Sequence, residues 1–63
     1  MIGKVKWFDS VKGFGFLVGD GNEEFFVHCT HVSEGLELEP ELEVEFDVVS
    51  TDKGVQAQNV RGV

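Results

Sequence analysis

The chain has 63 residues, one cysteine and a net charge of −7, which limits it to a single small domain without an internal disulfide. A net negative charge argues against a partner made of phosphates, but eight glutamates and one aspartate are concentrated between residues 21 and 49, where lysine and arginine are absent. Both flanking parts carry a small positive charge and leave a surface that a polyanion can approach.

Clusters of turn-forming residues divide the chain into five short segments. These clusters lie at 9–10, 19–22, 33–35 and 51–54. We therefore predict β-strands, and no helix of ten or more residues. The strands are expected near 2–8, 14–19, 24–28, 41–49 and 55–61.

The clearest pattern is the alternation of apolar and acidic residues from 36 to 48. A period of two predicts a half-buried strand rather than a helix. Pro40 interrupts the alternation, so we place it in the approach loop and begin the strand at Glu41. Five short strands joined by tight turns predict an all-β fold, a closed or nearly closed five-stranded antiparallel β-barrel spanning residues 1–63.

Aromatic residues are concentrated in the second and third predicted strands, in the segments KGFGFL (12–17) and EFFVH (24–28). Successive residues of a strand face opposite sides, and so small a barrel has only one interior. An apolar surface therefore stays exposed in either register. We expect the inward side to carry two aliphatic residues and one ring, namely Leu17, Val27 and Phe25. The outward side is expected to carry Phe14, Phe16, Phe26 and His28.

An exposed cluster of rings usually marks a binding site. Flat rings suit nucleic-acid bases, since stacking contributes about 1–3 kcal/mol per base and accepts any base. Lys4, Lys6 and Lys12 are close in sequence and are suited to contacting the phosphates between stacked bases. The pattern thus indicates a binder of single-stranded nucleic acid.

The segments GKVKWF (3–8), KGFGFL (12–17), FVH (26–28) and GVQAQNV (54–60) resemble the bacterial cold-shock proteins, and the resemblance covers essentially the whole chain. It implies an OB-fold barrel, the cold-shock domain, that binds single-stranded RNA or DNA and often favours pyrimidine-rich stretches. It also implies a role as an RNA chaperone or as a modulator of transcription or translation. The implied nucleic-acid-binding residues are Lys6, Trp7, Phe8, Lys12, Phe14, Phe16, Phe26 and His28.

Two features complicate this interpretation. Strict alternation turns Trp7 away from Lys6 and Phe8, so Trp7 and Phe8 both border a ligand only if strand twist or a β-bulge breaks the pattern. The family usually has an aromatic residue where this chain has Cys29, and a further aromatic in the loop after the third strand. Fewer rings and more acid predict weaker binding than in a typical member.

Other chemistry finds little support in the sequence. His28, Cys29 and His31 offer three metal ligands, but no fourth histidine or cysteine exists, and we expect neither a metal site nor a cofactor. The serines have no evident base partner, so we do not expect an enzyme. With one cysteine and no membrane segment, we expect a cytoplasmic protein, with a monomer favoured.

A second hypothesis comes from the acidic segment. In that interpretation the domain is a protein-interaction module whose acidic strand docks a basic partner, with the aromatic patch as its hydrophobic anchor. Lysines beside the rings favour the first hypothesis, and the acid between residues 34 and 47 favours the second. We take nucleic-acid binding as the first hypothesis and the interaction module as the alternative.

Overall fold

A computed structural model describes all 63 residues and contains five β-strands. They are β1 (Ile2–Asp9), β2 (Phe14–Gly19), β3 (Glu24–His28), β4 (Glu43–Thr51) and β5 (Gly54–Gly62), with one 3-10 turn at Cys29–His31. The predicted strands lie within two residues of these bounds at every end. No helix of the structure has the length and apolar character that crossing a membrane requires.

The strands form a closed barrel in the order β1-β2-β3-β5-β4, which confirms the predicted all-β, five-stranded barrel. Four of the five strand pairs are antiparallel. The fifth contact, between β3 and β5, is a single parallel bridge at Phe26 and Gln56. The barrel is thus closed most weakly between β3 and β5.

The interior holds one cluster of buried apolar side chains. Its members are Val5, Leu17, Phe25, Val27, Leu38, Val44, Phe46, Ala57 and Val60. Two rings pack within it, those of Phe25 and Phe46, with centroids 5.5 Å apart. Because this one layer fills the barrel, the outward side chains of β1, β2 and β3 have no protein layer above them.

The acidic strand departs from the predicted alternation at both ends. It begins at Glu43 rather than Glu41, because Glu41 adopts a positive φ of 73° and the Leu42 amide donates to the Glu39 carbonyl in a tight turn. At the other end Val48 is 42% exposed. Beyond Phe46, which still exchanges hydrogen bonds with Met1, the strand pairs with β5 alone, so no further strand covers Val48.

Candidate nucleic-acid interface

Four aromatic side chains lie together on the outer side of β1, β2 and β3. We call this set the ring face: Trp7, Phe14, Phe16 and Phe26. Neighbouring ring centroids lie 5.6–5.9 Å apart, so the four contacts form a closed circuit. The planes of Phe14 and Phe26 are within 29° of each other, whereas those of Phe16 and Phe26 are inclined by 77°. The rings therefore offer several flat surfaces at different angles.

The inward and outward sides of β2 and β3 follow from their alternation. Leu17 and Val27 are fully buried, while Phe14, Phe16 and Phe26 are partly exposed. The register places Phe16 directly opposite Phe26, so the rings of neighbouring strands meet side by side. The apolar outer surface predicted from the sequence is thus present in the structure.

A bulge in β1 brings Trp7 to the ring face. Val5 pairs with Leu17, but Trp7 pairs with Phe16, so Lys6 is an extra residue without a partner on β2. An extra residue shifts the alternation by one position. Trp7 therefore points outward beside Phe16 and is 38% exposed.

The same bulge turns Phe8 toward the interior. Phe8 is partly buried, packs against the core cluster and lies opposite Gly15. A Cβ atom on Gly15 would lie 2.6 Å from the Phe8 Cα. Glycine at this position therefore lets β1 and β2 approach closely. Among the predicted site residues, Phe8 lies beneath the ring face rather than within it.

Two lysines lie close in sequence to residues of the ring face, Lys6 next to Trp7 and Lys12 two residues before Phe14. Lys6 is exposed, and its Nζ lies 3.0 Å from Glu24 Oε2. Lys12 is exposed in the β1–β2 turn, and its backbone amide donates to Asp9 Oδ1 at 3.1 Å. The Lys12 ammonium itself takes part in none of the ion pairs of the structure.

His28 ends β3 and pairs with Phe14 in the register, so the imidazole lies on the outer side next to the ring face. Its Nδ1 accepts a hydrogen bond from the Thr30 amide at 3.3 Å. This bond fixes the ring as the chain turns out of the strand. His28 and the ring face therefore lie on the same outer side of the barrel.

A cleft extends from the ring face across the weak β3–β5 closure. Its lining residues are Phe16, Glu24, Phe26, His28, Lys53, Val55 and Gln56. Sequence reasoning missed the contribution of β5, because the bridge from Phe26 to Gln56 joins residues 30 positions apart. Lys53 lies at the tip of the β4–β5 hairpin, and only its positive charge could have indicated from the sequence that it belongs to this cleft.

Cys29 and the loop that follows carry no phenylalanine, tyrosine or tryptophan. Cys29 is exposed, with its Sγ 3.9 Å from His28 Nδ1. Leu36 packs against the core cluster and Leu38 belongs to it, so neither extends the ring face. The structure contains no group of three or more histidine, cysteine or acidic side chains arranged to hold a metal ion.

The acidic side chains of β4 lie on another part of the barrel. Glu45 is opposite Ile2, at the end of β1 remote from Trp7. Arg61 of β5 pairs with Glu45 at 3.3 Å and approaches Asp47 at 3.9 Å. The acidic side chains of β4 and the rings therefore occupy separate surfaces, although the domain as a whole is strongly negative.

Comparison with known proteins agrees with the barrel fold. The family model described as the 'Cold-shock' DNA-binding domain matches residues 1–63. The chain is 48% identical over 62 residues to the cold shock-like protein CspB of Bacillus cereus, covering 95% of each chain. It is 47% identical over 60 residues to the cold shock protein CspD of Bacillus subtilis, covering 92% of this chain and 91% of the relative.

Proposed function

The chain belongs to the cold-shock domain family, whose members bind nucleic acid and are not enzymes, and from this premise we propose that it binds single-stranded RNA or DNA by stacking bases on the ring face. The observation that supports the proposal most strongly is the circuit of four outward rings with centroids 5.6–5.9 Å apart. Stacking of one base on such a ring contributes about 1–3 kcal/mol to the binding free energy.

A single strand fits this surface better than a duplex. In a duplex the faces of the bases are already stacked on one another, so rings on a protein surface have no base to receive. An unpaired strand can turn successive bases toward Trp7, Phe16 and Phe26 while its phosphates pass Lys6 and Lys12. The differing ring angles favour a flexible strand, and pyrimidine-rich stretches, which stack weakly on themselves, are the proposed preference.

Binding of unpaired bases supports the further role that we propose, that of an RNA chaperone in the cytoplasm. A protein that binds the open form of an RNA hairpin and not its closed form shifts the equilibrium toward the open form by mass action. The same property can alter transcription or translation where a hairpin regulates either process. This role needs no catalytic group.

The protein-interaction hypothesis has weaker support. Its acidic surface on β4 lies away from the ring face, and Arg61 already neutralises part of it through Glu45 and Asp47. A basic partner on β4 would therefore leave the four rings uncovered.

The proposal is tested by titrating the protein with oligo-dT while following the fluorescence of Trp7, the single tryptophan. Since Trp7 is part of the ring face, the single strand is expected to quench it and a duplex of equal length to leave it almost unchanged. Equal quenching by both, or quenching by a polylysine peptide alone, would overturn the proposal. An RNA hairpin labelled at both ends tests the chaperone role, which predicts that the protein opens it.

A further inference from the structure

The ion pair between Lys6 and Glu24 lies at the edge of the ring face. Lys6 Nζ and Glu24 Oε2 are 3.0 Å apart. Lys6 belongs to β1 and Glu24 to β3, so the pair spans the intervening strand β2. The next row across the same three strands consists of Trp7, Phe16 and Phe26. A carboxylate is thus held beside the rings by the same lysine that is suited to meet a phosphate.

Both partners of this pair remain accessible, with side-chain exposures of 47% for Lys6 and 51% for Glu24. An exposed pair is weak, because water and salt screen it. A phosphate can therefore displace the carboxylate from Lys6. The displaced Glu24 stays close to the phosphate and repels it, so the exchange yields less than binding to a free lysine.

We propose that Glu24 competes with nucleic acid for Lys6, and that it thereby lowers the affinity of the ring face and flattens the salt dependence of binding. The inference rests on the proposed function, since it needs a phosphate chain that passes Lys6. The flattening has a physical cause. Neutralising a phosphate releases a bound cation from the strand, but the freed Glu24 carboxylate recruits a cation in return.

Glu23 provides a matched control. It precedes Glu24, is also exposed and carries the same charge, but it forms no ion pair. Glu23→Gln therefore measures the general effect of removing one negative charge near the ring face. Any additional effect of Glu24→Gln belongs to the contact with Lys6.

The test is a double-mutant cycle with Glu24→Gln, Lys6→Gln and the double variant, read by the anisotropy of fluorescein-labelled oligo-dT at several NaCl concentrations. At low salt, Glu24→Gln is expected to tighten binding about two- to five-fold and to steepen the plot of log K against log salt by up to about 0.7. In the Lys6→Gln background, Glu24→Gln should change the affinity for oligo-dT and its salt dependence no more than Glu23→Gln does.

Three results would overturn the inference. Weaker binding by Glu24→Gln would mean that the carboxylate itself contacts the ligand. An equal gain in affinity with and without Lys6 would mean that Glu24 acts only by general repulsion of the phosphates. An unchanged affinity in Glu24→Gln would show that Glu24 does not compete with nucleic acid for Lys6. In each case wild-type binding to oligo-dT still stands, so the proposed function survives. If the wild type does not bind, both fall together.

Discussion

Trp7 lies directly opposite Phe16 across the β1–β2 pair, with ring centroids 5.6 Å apart and planes inclined by 52°. This contact exists because Lys6 is an extra residue in β1, which moves Trp7 onto the outer side of the barrel. Without the bulge, Trp7 would point in the same direction as the fully inward Val5. One unpaired residue therefore completes the ring face.

Phe25 and Phe26 are neighbours in sequence but have opposite roles. Phe26→Ala is expected to weaken binding to oligo-dT by about 1–3 kcal/mol, the contribution of one stacked base, with little loss of stability. Phe25 is buried against Phe46, so Phe25→Ala should cost about 3–5 kcal/mol of folding free energy. Thermal unfolding and anisotropy measured on both variants check the pair of expectations. If the Phe26 variant unfolds and the Phe25 variant does not, then Phe26 belongs to the core and Phe25 to the binding surface, the reverse of this assignment.

Gly15→Ala is expected to destabilise the domain. The new Cβ would lie 2.6 Å from the Phe8 Cα, a backbone atom that no rotamer change can move. The resulting overpacking should cost about 1–3 kcal/mol and lower the melting temperature by roughly 4–8 °C per kcal/mol. Gly62→Ala is the control, because its Cβ would meet only Leu36 Cδ1, at 3.9 Å. Equal melting temperatures for the two variants would contradict the close approach of β1 and β2.

Cys29→Phe is expected to tighten binding. Cys29 is exposed directly after His28, where a ring would extend the stacking surface at about 1–3 kcal/mol per base. Cys29→Ala removes the thiol without adding a ring and should bind as the wild type does. The measurement compares the affinities of the wild type and the two variants for an oligonucleotide two bases longer than the stretch that the wild type covers. A gain in the alanine variant as well would rule out stacking as its cause.

The salt dependence of binding should be shallow. Few lysines border the ring face, so we expect the protein to neutralise only about two to four phosphates. Each should add about 0.7 to the slope of log K against log salt concentration. Titrations between low and high NaCl measure the slope directly. A slope several times larger would show that phosphate contacts, rather than stacking, supply most of the affinity.

Local patterns made most of the fold predictable. Alternation in β2 and β3 assigned Leu17 and Val27 to the core and Phe14 and Phe16 to the outer side, because burial on a strand has a period of two. Turn-forming residues placed the strand ends within two residues. Both signals depend only on neighbours in sequence.

The parts that escaped prediction depend on contacts between distant residues. The sequence raised a bulge in β1 only as a condition for Trp7 and Phe8 both to border a ligand. Its position at Lys6 is set by how β1 pairs with β2, and no glycine or proline marks it. The bridge from Phe26 to Gln56 and the ion pair from Lys6 to Glu24 likewise join strands that are remote along the chain. Val48 looked half-buried by alternation and is exposed, because only β5 accompanies the end of β4.

The most direct test of base stacking is the measurement of intermolecular nuclear Overhauser effects in the complex with a short oligo-dT. Contacts between thymine protons and the ring protons of Trp7, Phe14, Phe16 and Phe26 are the predicted result. Contacts confined to β4 and β5, with the four ring systems unchanged from the free protein, would contradict the account.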